Sequence, residues 1–267
     1  MVTYSHSKLS TFEQCPFKFK LRYIDKIIPE LEISIESHLG GIVHDTLEWL
    51  YIEVHKKKIP TIDQTISYFA ERWQEKYRPE MVIVKKELNA KDYFNKGVGF
   101  VLSYYLKHKP FNENTIALEE KINLNLDESK EYEIVGFIDR LVHNLQTGEY
   151  EIHDYKTANN LPLKEKVDND RQLALYSIAI KEKFGQDKTV RLVWHYLAHN
   201  KKICSQRTDK QLNQLKKDTL ELIKKIESTT IFPYNKSILC DWCEYKSLCT
   251  VHGKTISKKE TQKKLFG

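Results

Sequence analysis

The chain has 267 residues, 40% hydrophobic and 30% charged, and its 43 Lys and Arg against 37 Asp and Glu leave a formal charge of +6. With only 9 Gly and 7 Pro, collagen-like, low-complexity and wholly disordered chains are excluded. The mild positive balance tolerates a polyanion without identifying one, and no apolar run approaches the roughly 20 residues that cross a bilayer. The opening residues MVTYSHSKLSTFEQC contain no basic segment leading into an apolar one, so a mature cytoplasmic protein is expected, nucleoid-associated if bacterial. Cys15 and Cys204 stand alone, whereas Cys240, Cys243 and Cys249 cluster. In a cytosolic protein such a cluster points to metal before disulfides.

In chain order, Ser7 is a predicted N-cap for a first helix that Pro16 interrupts. A second helix follows Gly40-Gly41, with Ile42, Val43, Leu47, Leu50 and Tyr51 on its apolar side and His44 and Glu48 one turn apart. Helical spacing recurs over about 63–77 and 87–108. Near residue 115 the period drops to 2: Ile116, Leu118, Glu120, Ile122, Leu124 and Leu126 alternate as in a half-buried strand. Further strands are predicted over 131–144, 149–157 and 189–199, and amphipathic helices over 169–184 and 208–227. The expectation is a mixed α/β core with a helical N-terminal cap. Its parts are a helical region 1–112, a core 113–200, and a helix with the cysteine cluster over 201–250. A basic tail follows over 251–267.

In the strand EYEIHDYKT, alternation puts Tyr150, Ile152, Asp154 and Lys156 on one face. The preceding strand carries Asp139 on the face of Val135, Phe137 and Leu141. If these strands pair across their short turn, Asp139 and Asp154 meet in apolar surroundings, where two carboxylates repel each other unless a cation sits between them. Mg²⁺ or Mn²⁺ suits such oxygen ligands. By itself an Asp-x-Lys on a strand is more often a surface ion pair.

Five motifs in order change that weighting. Ser7-Lys8-Leu9 leads into Cys15-Pro16-Phe17-Lys18-Phe19. Gly40 to His44 follows, then Gly136-Phe137-Ile138-Asp139-Arg140 with Asp154-Tyr155-Lys156, then Gln172 and Tyr176, and finally Cys240-x2-Cys243-x5-Cys249. Over residues 7 to 249 this pattern resembles the PD-(D/E)xK nucleases, in the branch of RecB- and AddB-type nuclease domains and the CRISPR-associated adaptation nucleases. That branch has Glu as often as Asp at the place of Asp154.

The resemblance implies a restriction-endonuclease-like fold and a Mg²⁺- or Mn²⁺-dependent deoxyribonuclease, an exonuclease on single-stranded DNA or duplex ends, in repair, recombination or replication. Asp139, Asp154 and His44, with the Tyr155 carbonyl, would hold the metal. Lys156 would orient water and stabilise phosphate charge. Gln172 would bond near the metal while Tyr176 meets the nucleic-acid backbone, and Glu120 or its neighbour Glu119 would stand in the outer shell. Lys164, Lys166 and Arg171 are candidate phosphate guides, and Tyr4, Phe17 and Trp242 candidate base-stacking residues. Cys15, Cys240, Cys243 and Cys249 match the spacing of the iron-sulfur members and imply a 4Fe-4S cluster stapling the C-terminus to the first helix; His252 keeps a Cys3His zinc site open. Cys204 is expected to be a bystander. Gln262, Leu265 and Phe266 resemble the peptide by which bacterial replication proteins dock into the sliding clamp. There is no phosphate-cradling ATP loop, so unwinding would require a helicase partner. Two rival readings are a catalytically silent iron-sulfur DNA-binding module and a nuclease that trims DNA for CRISPR adaptation.

Overall fold

The computed structural model describes residues 1–29 and 34–249. A six-stranded mixed sheet is built from β1 (Val2–Ser5), β2 (Thr115–Asn125), β3 (Tyr132–His143), β4 (Tyr150–Lys156), β5 (Val190–Tyr196) and β6 (Lys201–Gln206). Helices α1 (His6–Gln14) and α2 (Pro16–Phe19) follow β1 and run into a π-helical turn, Lys20–Ile24. The long helices α3 (Ile35–His55), α4 (Ile62–Lys76) and α5 (Ala90–His108) precede β2. A short α6 (Lys164–Asp168) and α7 (Arg171–Phe184) lie between β4 and β5, and α8 (Asp209–Ser228) follows β6. Among the described residues no helix is long and apolar enough to cross a membrane.

β3 organises the sheet. β2 runs antiparallel along one edge, from Thr115↔Val142 to Asn125↔Glu133. On the other edge, β1 takes residues 132–135 in parallel and β4 takes 140–143 antiparallel, so residues 136–139 span a fork. β4 continues past its pairing with β3 and is joined in parallel to β5 as far as Lys156↔Tyr196.

Two hydrophobic clusters sandwich the sheet. On one side Ile134, Ile138, Leu141, Ile152 and Trp194 pack with Leu173, Ile180, Leu212 and Ile223 of α7 and α8. On the other, Ile42, Leu47, Phe69 and Tyr104 of α3, α4 and α5 pack with Tyr155 and Leu197. The expected mixed α/β core with a helical N-terminal part is therefore observed.

Three elements differ from expectation. The first helix starts earlier: Ser5, not Ser7, is its cap, with the Ser5 hydroxyl accepting from the Lys8 N–H at 3.1 Å. Residues 2–5 form β1 because Tyr4 buries its ring beneath the sheet. β6 lies outside the predicted strands, yet it pairs from Arg191↔Gln206 to Tyr196↔Lys201. Its polar side chains line a sheet edge, where the period-2 apolar signal is weakest.

Candidate nuclease active site

The last rung joining β3 to β4 is Arg140↔His153. The next rung would set Asp139 against Asp154, but there the strands diverge, and the Asp139 carboxylate fills the gap: its Oδ2 accepts from the Tyr155 N–H at 3.0 Å. α3 closes the site from above. His44 Nε2 donates to the Tyr155 carbonyl at 2.7 Å, and its Nδ1 lies 3.3 Å from Asp139 Oδ2. Tyr155 therefore contributes only its main chain to the site, through an N–H to Asp139 and a carbonyl to His44.

Asp154 is 4% exposed. Lys156 Nζ donates to its Oδ1 at 2.9 Å. Oδ2 lies 2.8 Å from the same ammonium but out of alignment, and no hydrogen bond reaches it. A divalent cation here would share the Asp154 carboxylate with Lys156.

Electrostatics agree with that reading. Burial would push the His44 imidazole down, but the hydrogen bond and charge of Asp139, with the Tyr155 carbonyl, hold it at about 9. Burial raises the Asp154 carboxyl, against the opposing pull of Lys156. For Lys156, burial alone would lower the ammonium, yet Asp154 and Asp139 raise it. The pocket thus holds a lysine that stays charged and carboxylates that repel one another, a donor set suited to a hard divalent ion.

Several predicted residues stand elsewhere. Glu120 faces α7, where its Oε1 accepts from Lys183 at 2.5 Å. Glu119 instead joins His44 and Asp139, all three offering ligand atoms within 4.8 Å of one another. Tyr176 is 4% exposed, not open to nucleic acid. Its ring packs on β3 at Gly136, where a Cβ would lie 2.3 Å from the phenol oxygen. Gln172 bonds that same phenol, so the pair braces β3 at the fork. Arg171 is held by Glu13 at 2.5 and 3.0 Å, and Lys164 pairs with Asp168. Tyr4 is buried beneath Lys8, whose ammonium sits 3.9 Å above its ring.

Sequence reasoning missed the network under the site. Arg140 is fully buried and donates to Tyr155 Oη at 3.1 Å, Glu113 at 2.7 Å and His153 Nδ1 at 2.8 Å. His195 Nε2 meets the same His153 nitrogen at 2.8 Å. The available signal was a run of polar residues, His153 among them, on the face of β4 opposite Asp154.

The C-terminal segment packs on α1 and α2 through Phe17 N–H to the Pro233 carbonyl at 3.1 Å and Lys18 to Glu244 at 2.7 Å. Cys15, Cys240, Cys243 and Cys249 line one cavity there. Two of these sulfurs accept main-chain N–H groups, Cys15 from Lys18 at 3.5 Å and Cys240 from Ser237 at 3.4 Å. Burial raises the Cys243 thiol. Cys204 lies apart, on β6 opposite Val193. His252, Gln262, Leu265 and Phe266 fall outside the described residues.

The profile of the PD-(D/E)XK nuclease superfamily matches residues 3–250. This chain belongs to that superfamily. Among solved structures, a candidate exonuclease from Eubacterium rectale is similar at TM-score 0.51 and 11% identity, over 98% of this chain and 92% of that one. At that identity the likeness speaks for the fold alone. SSO0001 is looser, at TM-score 0.41 and 14% identity over 94% of this chain and 87% of that chain, and no argument rests on it. No curated protein sequence matches this nuclease significantly.

Proposed function

We propose that this nuclease is a Mg²⁺- or Mn²⁺-dependent deoxyribonuclease that hydrolyses phosphodiester bonds in single-stranded DNA or at duplex ends, in DNA repair, recombination or replication. The observation that carries the reading is the fork itself. It sets Asp139 opposite the buried Asp154–Lys156 pair, with His44 bonded to the main chain between them.

Asp139, Asp154 and His44, with the Tyr155 carbonyl, are the residues that would hold the cation. When bound, such an ion supplies Lewis-acid charge at the scissile phosphate. Lys156 keeps its proton and turns its N–H groups toward attacking water and the charge building on phosphate oxygens. Asp154 fixes the Lys156 ammonium in place through Oδ1. His44 and Asp139 are each anchored to the Tyr155 main chain, so side chains from α3 and β3 share one rigid reference.

A 4Fe-4S cluster on Cys15, Cys240, Cys243 and Cys249 is part of the proposal, with zinc as the alternative. It is supported by the shared cavity and by the N–H groups directed at two of the sulfurs. Such a cluster would make residues 1–250 one unit closed at both ends.

The test is digestion of end-labelled single-stranded and duplex DNA by anaerobically purified protein. Expected are cleavage that requires Mg²⁺ or Mn²⁺ and a loss of at least about 100-fold in Lys156→Ala and Asp154→Asn. Cleavage that is unchanged in both variants, or no cleavage by folded wild type with either ion, overturns the reading. The second result would favour a silent DNA-binding module.

A further inference from the structure

β3 carries a large apolar side chain that neither hydrophobic cluster covers. Phe137 is 54% exposed, although Gly136 before it packs against Tyr176 and Ile138 after it is buried in the α7-side cluster. Alternation therefore turns the Phe137 ring to the opposite face, the one on which α3 brings His44 to Asp139. Among the described residues the helical cluster does not extend to it.

The reason lies in β2. At Glu119, whose φ of 44° is left-handed, that strand changes face. Before it, Ala117 packs on the α7 side and Leu118 with the helical cluster; after it, Ile122 and Leu124 pack on the α7 side. β3 changes face nearby, since Ile138 and Leu141, three residues apart, both join the α7-side cluster. Past this point the α3 face of β2 carries exposed Lys121 and Asn123, on the rungs Lys121↔Phe137 and Asn123↔Val135. The helical cover thus ends at the candidate site, and a strip of open sheet continues from it.

Two features suit this strip to a nucleic-acid strand. Residues 136–139 span the fork, and there the Phe137 main-chain N–H donates to the Tyr176 phenol oxygen. A ring on a braced main chain loses little freedom when a base stacks on it. Lys121 makes no ion pair among the described residues, unlike Lys164 and Arg171, so its ammonium is available to a phosphate. Along the strand the ring stands about 7 Å from Asp139, the reach from a phosphate to a neighbouring base.

We propose that Phe137 stacks on the base of the nucleotide beside the scissile phosphate, with Lys121 on the adjoining backbone phosphate, so that a single DNA strand crosses the open face of β2 and β3. The proposal rests on the nuclease reading of the site. A base inside a duplex has both faces stacked on its neighbours, so this contact selects single strands and frayed ends.

The experiment measures KM and kcat on end-labelled single-stranded oligonucleotides whose cleaved bond has been mapped, intact or lacking one base at successive positions beside that bond. It compares full-length wild type, Phe137→Ala, Phe137→Trp and Leu145→Ala, the last in the exposed turn after β3, with folding checked by circular dichroism. KM is expected to rise about 5-fold or more in Phe137→Ala with kcat little changed, and to stay near wild type in Phe137→Trp and Leu145→Ala. One abasic position is expected to cost wild type the same factor and Phe137→Ala nothing further. Equal KM in wild type and Phe137→Ala overturns the stacking and leaves the nuclease reading standing, as do abasic losses that add to that of Phe137→Ala at every position. A rise in Leu145→Ala matching that in Phe137→Ala also overturns it. Folded wild type that cleaves no DNA with Mg²⁺ or Mn²⁺ overturns both. If Phe137→Ala does not fold, Phe137→Leu carries the test: it keeps apolar bulk without an aromatic face, and unchanged KM overturns the stacking.

Discussion

At the scale of single residues, the metal-free site opposes itself, and pH exposes this. His44 is held at about 9 against an ordinary 6.5, so the stability it contributes is complete below 6.5 and is lost as pH rises through 9. Glu119 is raised from 4.5 to about 7, so the folded state binds its proton more tightly than the unfolded chain. Stability from that source is likewise lost between 4.5 and 7. Both signs agree. The melting temperature of metal-free protein is expected to fall from pH 5 to 9, and Glu119→Gln to remove the part of that fall below pH 7. Melting curves in chelator across this range check it. If His44 serves as the proposed ligand, its imidazole gives up a proton on binding, so Mn²⁺ addition at pH 7 is expected to release protons, read by calorimetry in buffers of different ionisation enthalpy. Gly136 allows a separate test. A methyl group there meets the Tyr176 phenol at 2.3 Å, so Gly136→Ala is expected to destabilise by about 1–3 kcal/mol in urea unfolding.

At the scale of elements, the divergence of β3 from β4 is supported from beneath. Arg140, fully buried, ties the Tyr155 hydroxyl of β4 to Glu113 and to His153. Its guanidinium also lies 4.2 Å over the Tyr51 ring of α3. Three elements that supply site residues thus share one buried cation. Arg140→Met would leave Glu113, His153 and the Tyr155 hydroxyl without that donor, and a loss of about 3–5 kcal/mol is expected in equilibrium unfolding. On the other face, the Gln172–Tyr176 pair of α7 presses on β3 at Gly136. Tyr176→Phe keeps the packing and removes the hydroxyl, so a smaller loss, about 1 kcal/mol, is expected by the same measurement.

At the scale of the whole molecule, the N-terminal helices and the last described segment form one assembly. Asn235 donates to the Gln14 carbonyl at 3.0 Å, and Tyr245 to the Ile27 carbonyl at 2.9 Å. These few contacts cross more than two hundred residues of chain, and a cluster on the four cysteines would convert them into a covalent closure. Removing one ligand by Cys15→Ser is expected to abolish visible iron-sulfur absorption and to lower the melting temperature. It should also make residues 233–249 a preferred site of limited proteolysis. A colourless wild type without bound iron would refute the cluster.

The sequence by itself determined the period change near residue 115, the order of helices and strands, and the residue types able to carry nuclease chemistry, because hydrophobic periodicity and short motifs are local. Asp139, Asp154 and Lys156 can be singled out as candidates for that reason. What only the tertiary structure decided depends on strands distant in sequence. The choice of Glu119 over Glu120 follows from one left-handed residue that reverses two paired strands, which alternation counting cannot register. The burial of Tyr176 follows from its packing against Gly136. β1 and β6 exist through their partners, β3 and β5, rather than through their own apolar pattern. In sequence Arg140 is only the residue that follows Asp139. It becomes the buried support of the site only when β3, β4 and α3 close around it, since a guanidinium removed from water is stable only where fixed partners satisfy its N–H groups.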